Sequence, residues 1–152
     1  MIPSTMLQVR WADTDQYGHV NNVAVARLVE EARIRLFGLP DKPAQAPPGR
    51  APALAVLGMG TFTVTAAQRV EYTSEMPYTG GGVRAEAWLS RIGTRSLTID
   101  CRLLSDDTAL EYARARTTLV IMDIGGHRPR DLTRTEREDL APYRAEPLAF
   151  RD

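Results

Sequence analysis

The sequence predicts an α+β fold in which one antiparallel sheet wraps around a single long helix. Residues 25–36 carry apolar side chains at helical spacing, whereas three later segments, 83–90, 97–103 and 113–121, alternate apolar and polar residues with a period of two. Short stretches rich in glycine, serine and aspartate separate these segments, as expected of turns between antiparallel strands. One helix can cover one face of such a sheet, which is an α+β arrangement.

The first predicted elements are a strand at Met6–Trp11 and a polar, glycine-containing loop at Ala12–Asn21. The apolar stripe of the helix that follows consists of Val25, Leu28, Val29, Ala32 and Leu36. On the opposite face, Glu31 lies four residues from both Arg27 and Arg35, a spacing that brings opposite charges together. We therefore predict a long amphipathic helix that buries one face.

Both ends of this helix have recognisable signals. Asn21 or Asn22 can cap its N-terminus, and Gly38 and Pro40 end it. Residues 38–53 hold five of the ten prolines, which predicts an irregular loop or flap. Such a segment either covers a substrate site or is only a variable connection between elements.

The order of elements is strand, long helix, then four or five strands, which fits one domain spanning residues 1–152. Near the end, Thr133 and Glu136 have the spacing of a capping box and predict a short helix at 133–143. Two subunits of this kind can join their sheets edge to edge, because pairing hides the exposed edges.

The composition is that of an ordinary globular protein, with 43% hydrophobic and 25% charged residues. The formal net charge of zero argues against a general nucleic-acid binder, which needs a basic excess. Cys101 is the only cysteine, so no intramolecular disulfide can form, and we expect the reducing cytoplasm. Residues 1–8 do not resemble a signal peptide, and no apolar run reaches the roughly 20 residues that span a bilayer.

The segment Asp13–Asn22 concentrates two acids, a glycine, a histidine and two asparagines between the predicted strand and helix. Gly18 permits a tight backbone path, and the helix N-terminus presents unpaired N–H groups that can polarise a carbonyl. A carboxylate a few residues upstream can act as a general base or as a nucleophile. Aspartate, asparagine and glycine are also common in loops and caps, so the residues alone leave a purely structural loop open.

This segment resembles the signature of the 4-hydroxybenzoyl-CoA thioesterase family of hotdog-fold enzymes. The family pattern D-x-D-x-x-G-x-V matches Asp13–Val20, and the later E-x-A-R run matches Glu30–Arg33. Weaker matches at Val70–Tyr72, at Ile92–Gly93 and near Val120 extend the resemblance over nearly the whole chain.

The resemblance implies a hotdog fold and a homodimer or homotetramer with active sites between subunits. It implies hydrolysis of an acyl-CoA thioester, with coenzyme A present only as part of the substrate and no separate cofactor. Asp15 matches the family's catalytic acid, which acts as a general base or as a nucleophile. The backbone N–H of Asn22 polarises the carbonyl and Gly18 keeps the approach open, whereas Asp13 matches an acid that we assign to loop structure.

Three further residues belong to the predicted site. His19 is either a proton shuttle or a hydrogen-bonding support that holds Asp15 in place. Tyr17 and Val25 are predicted to contact the substrate. Val25 lies in the first turns of the helix, where many members of the family have aromatic residues, so the pocket is expected to suit a different acyl group.

Four arginines at predicted strand ends and loops are candidates for the phosphates of coenzyme A, or else are solvated surface residues: Arg91, Arg95, Arg128 and Arg130. His127 is assigned to a turn, and its distance from His19 in the sequence gives no metal-ligand spacing, so we predict no metal. Cys101 follows the strand alternation and is assigned to the core rather than to a nucleophile.

Three other functions remain open. The run His19–Asn22 also resembles acyl-carrier-protein thioesterases, which have an asparagine where this chain has Tyr17. Hotdog enoyl hydratases use an Asp and a His separated by four residues, whereas three residues separate Asp15 from His19 and five separate Asp13 from His19, so the spacing argues against a hydratase. A non-catalytic acyl-thioester-binding protein is the third alternative, and the retained Asp15 argues against it.

Overall fold

The computed structural model describes residues 2–40 and 53–152 of the chain. The proline-rich segment predicted to be a loop or flap lies outside the described residues between positions 41 and 52. Its two ends are described. Gly38 follows the long helix, and a short 3₁₀ helix spans Ala53–Leu57.

In the described part of the chain, one antiparallel sheet contains six strands. They are β1 (Ser4–Gln8), β2 (Thr61–Tyr72), β3 (Gly82–Ile92), β4 (Ser96–Leu104), β5 (Glu111–Asp123) and β6 (Arg128–Pro129). Their order across the sheet is β1-β3-β4-β5-β2, and β6 pairs with the end of β5. The predicted α+β architecture is confirmed, and β1 and β2 form its two outer edges.

The long helix α1 spans Asn22–Phe37, as the sequence predicted. The side chain of Asn21 caps it by accepting a hydrogen bond from the Ala24 N–H at 2.8 Å. Gly38 ends it with a φ of 69°, a left-handed conformation that glycine adopts without strain. The helix packs on β1, β3 and β4, so it covers the concave face of the curled sheet.

The core lies between α1 and this concave face. Among its fully buried side chains are Leu7, Leu28, Phe37, Leu89, Leu97, Leu103, Leu119 and Ile121. The alternating residues that were predicted to face inwards on β3, β4 and β5 are buried, so the period-two pattern placed these three strands correctly.

The first strand ends earlier than predicted. β1 stops at Gln8, which pairs with Gly82, the first residue of β3. Beyond this point the chain turns, because the Asp13 side chain accepts hydrogen bonds from both the backbone and the guanidinium of Arg10. Residues Trp11–Asp13 form a 3₁₀ helix instead of a continued strand.

The outer face of the sheet is less exposed to solvent than the alternating pattern predicted. Trp88, Ser90 and Asp100 belong to the polar-facing series, yet they are 3%, 5% and 0% exposed. The residues that follow position 143 cover this face, and they accept a hydrogen bond from Trp88 and donate one to Asp100. An alternating pattern predicts that one face of the sheet is buried. It cannot show that a later segment of the chain covers the opposite face.

The predicted short helix near the end is confirmed. α2 spans Arg134–Leu140, the capping box of Thr133 and Glu136 starts it, and a 3₁₀ turn over Ala141–Tyr143 follows. Within the described residues, no helix is both long and apolar enough to cross a membrane.

Candidate active site

The loop between Asp13 and α1 is hydrogen-bonded to the connection between β2 and β3. The Asn21 N–H donates to the Asp13 carbonyl at 2.8 Å, and the Val20 N–H donates to the Met76 carbonyl at 2.8 Å. His19 also forms an isolated bridge with Pro77. These backbone hydrogen bonds hold the loop in a defined position beside this connection.

Asp15 has one carboxylate oxygen engaged by its own loop. Oδ1 accepts hydrogen bonds from the backbone N–H groups of Tyr17, at 2.8 Å, and His19, at 3.1 Å. Among the described residues, no donor is bonded to Oδ2. The loop therefore orients a partly exposed carboxylate and leaves one oxygen for water or substrate.

Gly18 makes the sharp turn of this loop. Its φ of 76° lies in the left-handed region, and its N–H donates to the Asp15 carbonyl at 3.1 Å. A Cβ built at this position would meet no atom within 4 Å. Backbone conformation, rather than lack of space, therefore requires glycine here.

Asp13 holds the base of the loop. It is buried, and its carboxylate accepts from the Arg10 N–H at 2.8 Å, from the Arg10 guanidinium at 2.8 Å and from Arg27 at 2.9 Å. The hydrogen bonds from Arg10 lower the pKa of Asp13 to about 2, against the effect of burial. This geometry supports the structural role that the sequence suggested for Asp13.

The first turn of α1 offers hydrogen-bond donors beside Asp15. The Asn21 side chain satisfies the Ala24 N–H, but no described residue accepts from the N–H groups of Asn22 and Val23. The N-terminus of a helix also carries a partial positive charge. Both features suit the stabilisation of a developing oxyanion.

Two clefts meet at Asp15 and Asn22, which line both of them. We call the first the aromatic cleft, and its walls include Tyr17, His19, Val25, Tyr72, Met76 and Tyr112. Its volume of about 460 Å³ is in the range of small-molecule sites. We call the second the arginine cleft, and its walls include Arg10, Asp13, Val23 and Arg27.

His19 contributes differently through its backbone and its side chain. The backbone N–H supports Asp15, whereas imidazole Nε2 lies 3.4 Å from Oε2 of Glu75. Glu75 is largely exposed and lines the aromatic cleft. The contact to Asp15 is made by the backbone N–H of His19, so the supporting role and the proton-shuttle role of the imidazole both remain predictions.

Within one chain, Arg91 and Arg95 lie at the end of the sheet opposite the site. The loop of Asp15 lies where Tyr72 pairs with Ala113, whereas Arg91 pairs with Thr98 at the far end of β3. Their assignment to substrate therefore requires a second subunit and remains a prediction.

Ion pairs also change the assignment of the arginines. Arg95 contacts Asp131 at 2.5 Å, and the guanidinium of Arg130 donates to both carboxylate oxygens of Glu136. Arg130 also donates to the hydroxyl of Thr61 at the start of β2, so it joins β2 to α2 and does not fit the phosphate-binding role suggested for it. The pair of Arg95 and Asp131 joins residues 36 positions apart in the chain, which the sequence does not reveal.

Comparison of the chain with known protein families identifies the superfamily to which this domain belongs. Residues 9–143 match the model of the thioesterase-like superfamily. The chain belongs to this superfamily. The match agrees with the resemblance that the Asp13–Val20 motif suggested.

Solved structures show that this superfamily member has the hotdog thioesterase fold. A predicted thioesterase from Bacillus stearothermophilus is 24% identical, with a TM-score of 0.76 over 97% of this chain and 100% of that one. A thioesterase from Thermus thermophilus, solved with coenzyme A and Zn, is 24% identical, with a TM-score of 0.71 over 96% of each chain. The DHNA-CoA thioesterase from Staphylococcus aureus is 17% identical, with a TM-score of 0.72 over 93% and 89%. None of the curated proteins compared with the chain is similar enough to count as a relative.

The structure locates the remaining candidates of this thioesterase-like chain. Cys101 is buried in the core, and burial raises the pKa of its thiol to about 12, which excludes a nucleophilic thiolate. His127 lies in the turn after β5 and packs against Phe62. Among residues 2–40 and 53–152, no three His, Cys, Asp or Glu side chains are arranged to hold a metal ion.

Sequence reasoning missed much of the cleft wall. Tyr72 was noticed only as part of a weak family match, and Glu75, Met76 and Tyr112 carried no signal of their own. They come from the end of β2, the connection that follows it and the start of β5. Only strand pairing brings these segments to the loop of Asp15.

Proposed function

We propose that the chain hydrolyses an acyl-CoA thioester to the free acid and coenzyme A. The observation that carries the proposal is the orientation of Asp15 by the N–H groups of Tyr17 and His19, next to the N–H of Asn22, from which no described residue accepts. A carboxylate and an oxyanion donor in one cleft are the two groups that acyl transfer to water needs.

The chemistry follows from these groups. The carbonyl oxygen of the thioester accepts a hydrogen bond from the Asn22 N–H. Asp15 takes a proton from water while the water oxygen attacks the carbonyl carbon. The carbon–sulfur bond then breaks, and the thiolate leaves and takes up a proton. In the alternative, Oδ2 of Asp15 attacks directly and forms a mixed anhydride, which water hydrolyses.

The two clefts suggest where the substrate lies. We assign the acyl group to the aromatic cleft because Tyr72, Met76 and Tyr112 offer apolar surface there. The arginine cleft contains Arg10, whose side chain is 63% exposed although it contacts Asp13. An exposed guanidinium can bind a phosphate, which favours this side for coenzyme A.

A panel of thioesters tests the activity. We expect release of free coenzyme A from at least one of several aromatic, short-chain and long-chain acyl-CoAs, with kcat/KM on the order of 10⁴ M⁻¹s⁻¹ or higher. Thiol release is measured continuously with a chromogenic thiol reagent. The same acyl groups on acyl-carrier protein serve as the comparison. Hydrolysis of the carrier-protein thioesters alone, or binding of acyl-CoA without turnover, would contradict the proposal.

We further propose that the thioesterase is at least a homodimer joined through β2. This strand has 12 residues and lies at the edge of the sheet, and its segment 64–69 is exposed. A long exposed edge invites pairing with another strand. Antiparallel pairing of two β2 strands would bring Arg91 and Arg95 of the second copy to the Asp15 end of this sheet.

Arg33 supports a second copy at the same place. Its side chain is only 10% exposed, and in the described part of the chain its nearest carboxylate is Glu30 at 3.9 Å. Burial lowers the pKa of Arg33. Arg33 lines a groove between α1 and β2 that also includes Thr65 and Gln68. Among the described residues the nearest carboxylate is 3.9 Å from this buried cation, so a closer acceptor from a second copy would stabilise it.

Sedimentation velocity tests the dimer. We expect a species of about twice 16.8 kDa at micromolar concentration, since standard interfaces persist there. Val64→Asp places a charge on the exposed part of β2 and should shift the protein to monomer. Leu110→Asp adds the same charge at an exposed position of the β4–β5 turn and should leave the dimer intact. Sedimentation of the wild-type protein as a monomer would show that the proposed dimer is wrong.

A further inference from the structure

Residues 144–152 run across the outer face of the sheet, and we call them the C-terminal strap. At its start, the indole N–H of Trp88 donates to the Glu146 carbonyl at 2.8 Å. The strap lies beyond residues 9–143, the part that matches the superfamily. The family match therefore does not explain its contacts.

The middle of the strap is hydrogen-bonded to an ion pair whose carboxylate is buried. Asp100 is 0% exposed, and Arg116 donates to its two carboxylate oxygens at 2.8 and 2.7 Å. The Leu148 N–H donates to the same carboxylate at 2.7 Å, and the Leu148 carbonyl accepts from Arg116 at 2.9 Å. The strap thus completes the hydrogen bonding of charges on β4 and β5.

The end of the strap is held on β2. The ring of Phe150 packs on two guanidinium groups, 5.0 Å from that of Arg69 and 4.8 Å from that of Arg116. The Arg151 N–H donates to Oε1 of Glu71 at 2.5 Å. Its carbonyl accepts from Arg69, which also pairs with Glu71.

This last anchor lies directly behind the wall of the aromatic cleft. Glu71 precedes Tyr72, and successive side chains of a strand point to opposite faces of the sheet. Tyr72, Thr73 and Tyr112 line the cleft, and the Thr73 N–H donates to the Tyr112 carbonyl at 2.9 Å. The hydroxyl of Thr73 also bonds to the Glu111 carbonyl.

We propose that the C-terminal strap is a positioning element that fixes the Tyr72–Tyr112 wall of the aromatic cleft and thereby determines which acyl groups fit. The strap contacts Glu71 on the outer face of the sheet and so restrains the end of β2. Because Thr73 is hydrogen-bonded to Tyr112 and Glu111, the start of β5 is restrained as well. The strap acts on the wall and not on Asp15, so it affects substrate fit more than the chemical step.

Hydrogen exchange tests the positioning. Phe150→Ala removes the ring that packs on the two guanidinium groups, and deletion of residues 147–152 removes most of the strap. In both variants we expect the amides of Thr73 and Ser74, which donate to the Tyr112 carbonyl, to exchange roughly tenfold faster. Arg151→Ala is the matched control, because Arg151 makes its contacts through the backbone. Wild-type exchange at these amides in both variants would overturn the proposal.

The specificity claim rests on the proposed thioesterase function and has its own readout. Across the acyl-CoA panel, Phe150→Ala should raise KM by about threefold or more and change the ranking of acyl groups, while kcat stays within about twofold. Unchanged KM values and ranking would overturn the claim. If the wild-type protein releases no coenzyme A, the proposed function fails, whereas the exchange experiment still decides the positioning role.

Discussion

Replacement of Asp15 by asparagine is expected to lower kcat by at least about 10²-fold, the usual contribution of a general base. The asparagine retains an Oδ1 that can accept the hydrogen bonds from Tyr17 and His19, so the loop should keep its shape. What changes is the free oxygen, which becomes an amide without basicity or useful nucleophilicity. The structure thus makes Asp15→Asn a test of chemistry and not of loop folding.

Two neighbouring variants separate backbone from side-chain roles. Asn22→Ala preserves the backbone N–H that we assign to the oxyanion, and Asn21 still caps the helix, so kcat should change little. His19→Ala preserves the backbone N–H that holds Asp15 and removes only the imidazole beside Glu75. If the imidazole of His19 takes no part in proton transfer, kcat of this variant should fall by less than about tenfold, which is below the usual effect of removing an acid–base group.

The measurement is kcat and KM for all three variants on the best acyl-CoA of the panel. Substrate binding should survive in Asp15→Asn, because the aromatic cleft keeps its walls. Retention of more than about a tenth of wild-type kcat by Asp15→Asn would contradict the mechanism, since a general base contributes at least about 10²-fold. A loss in His19→Ala as large as that expected for Asp15→Asn would make the imidazole a proton carrier.

The second large effect concerns stability and pH. The pKa of Asp13 is lowered from 3.8 to about 2 in the folded protein, chiefly by hydrogen bonds from Arg10. A folded-state pKa below the unfolded value stabilises the folded state above pH 3.8, and this contribution is lost as pH falls to about 2. At 1.36 kcal/mol for each pKa unit, the contribution at neutral pH is about 2 kcal/mol.

Asp13→Asn should therefore lower the free energy of unfolding by about 2 kcal/mol at pH 7 and by much less near pH 2. Urea unfolding at both pH values, at one protein concentration because assembly shifts stability, measures the difference. Asp131→Asn is the matched control, since its pair with Arg95 is 61–62% exposed and such pairs contribute about 0–1 kcal/mol. An equal loss at both pH values would assign the effect to packing or neutral hydrogen bonds.

The sequence by itself determined the helix, most of the sheet and the loop that carries the chemistry. The stripe from Val25 to Ala32 faces the core, the cap at Asn21 starts α1, and the alternation at 97–103 forms β4. These features are local, because spacing along a helix or strand decides which side chains share a face. The resemblance of Asp13–Val20 to thioesterases is also local, and the superfamily match agrees with it.

Tertiary structure alone decided what surrounds Asp15 and what lies behind the sheet. Tyr72 and Tyr112 reach the aromatic cleft because β2 pairs with β5 across some forty residues of sequence. Asp100 is buried because Leu148 and Arg116 meet above it, although its position in the alternation predicted solvent. Contacts between residues far apart in the chain leave no periodic signal, since each depends on how complete elements pack and where the chain returns.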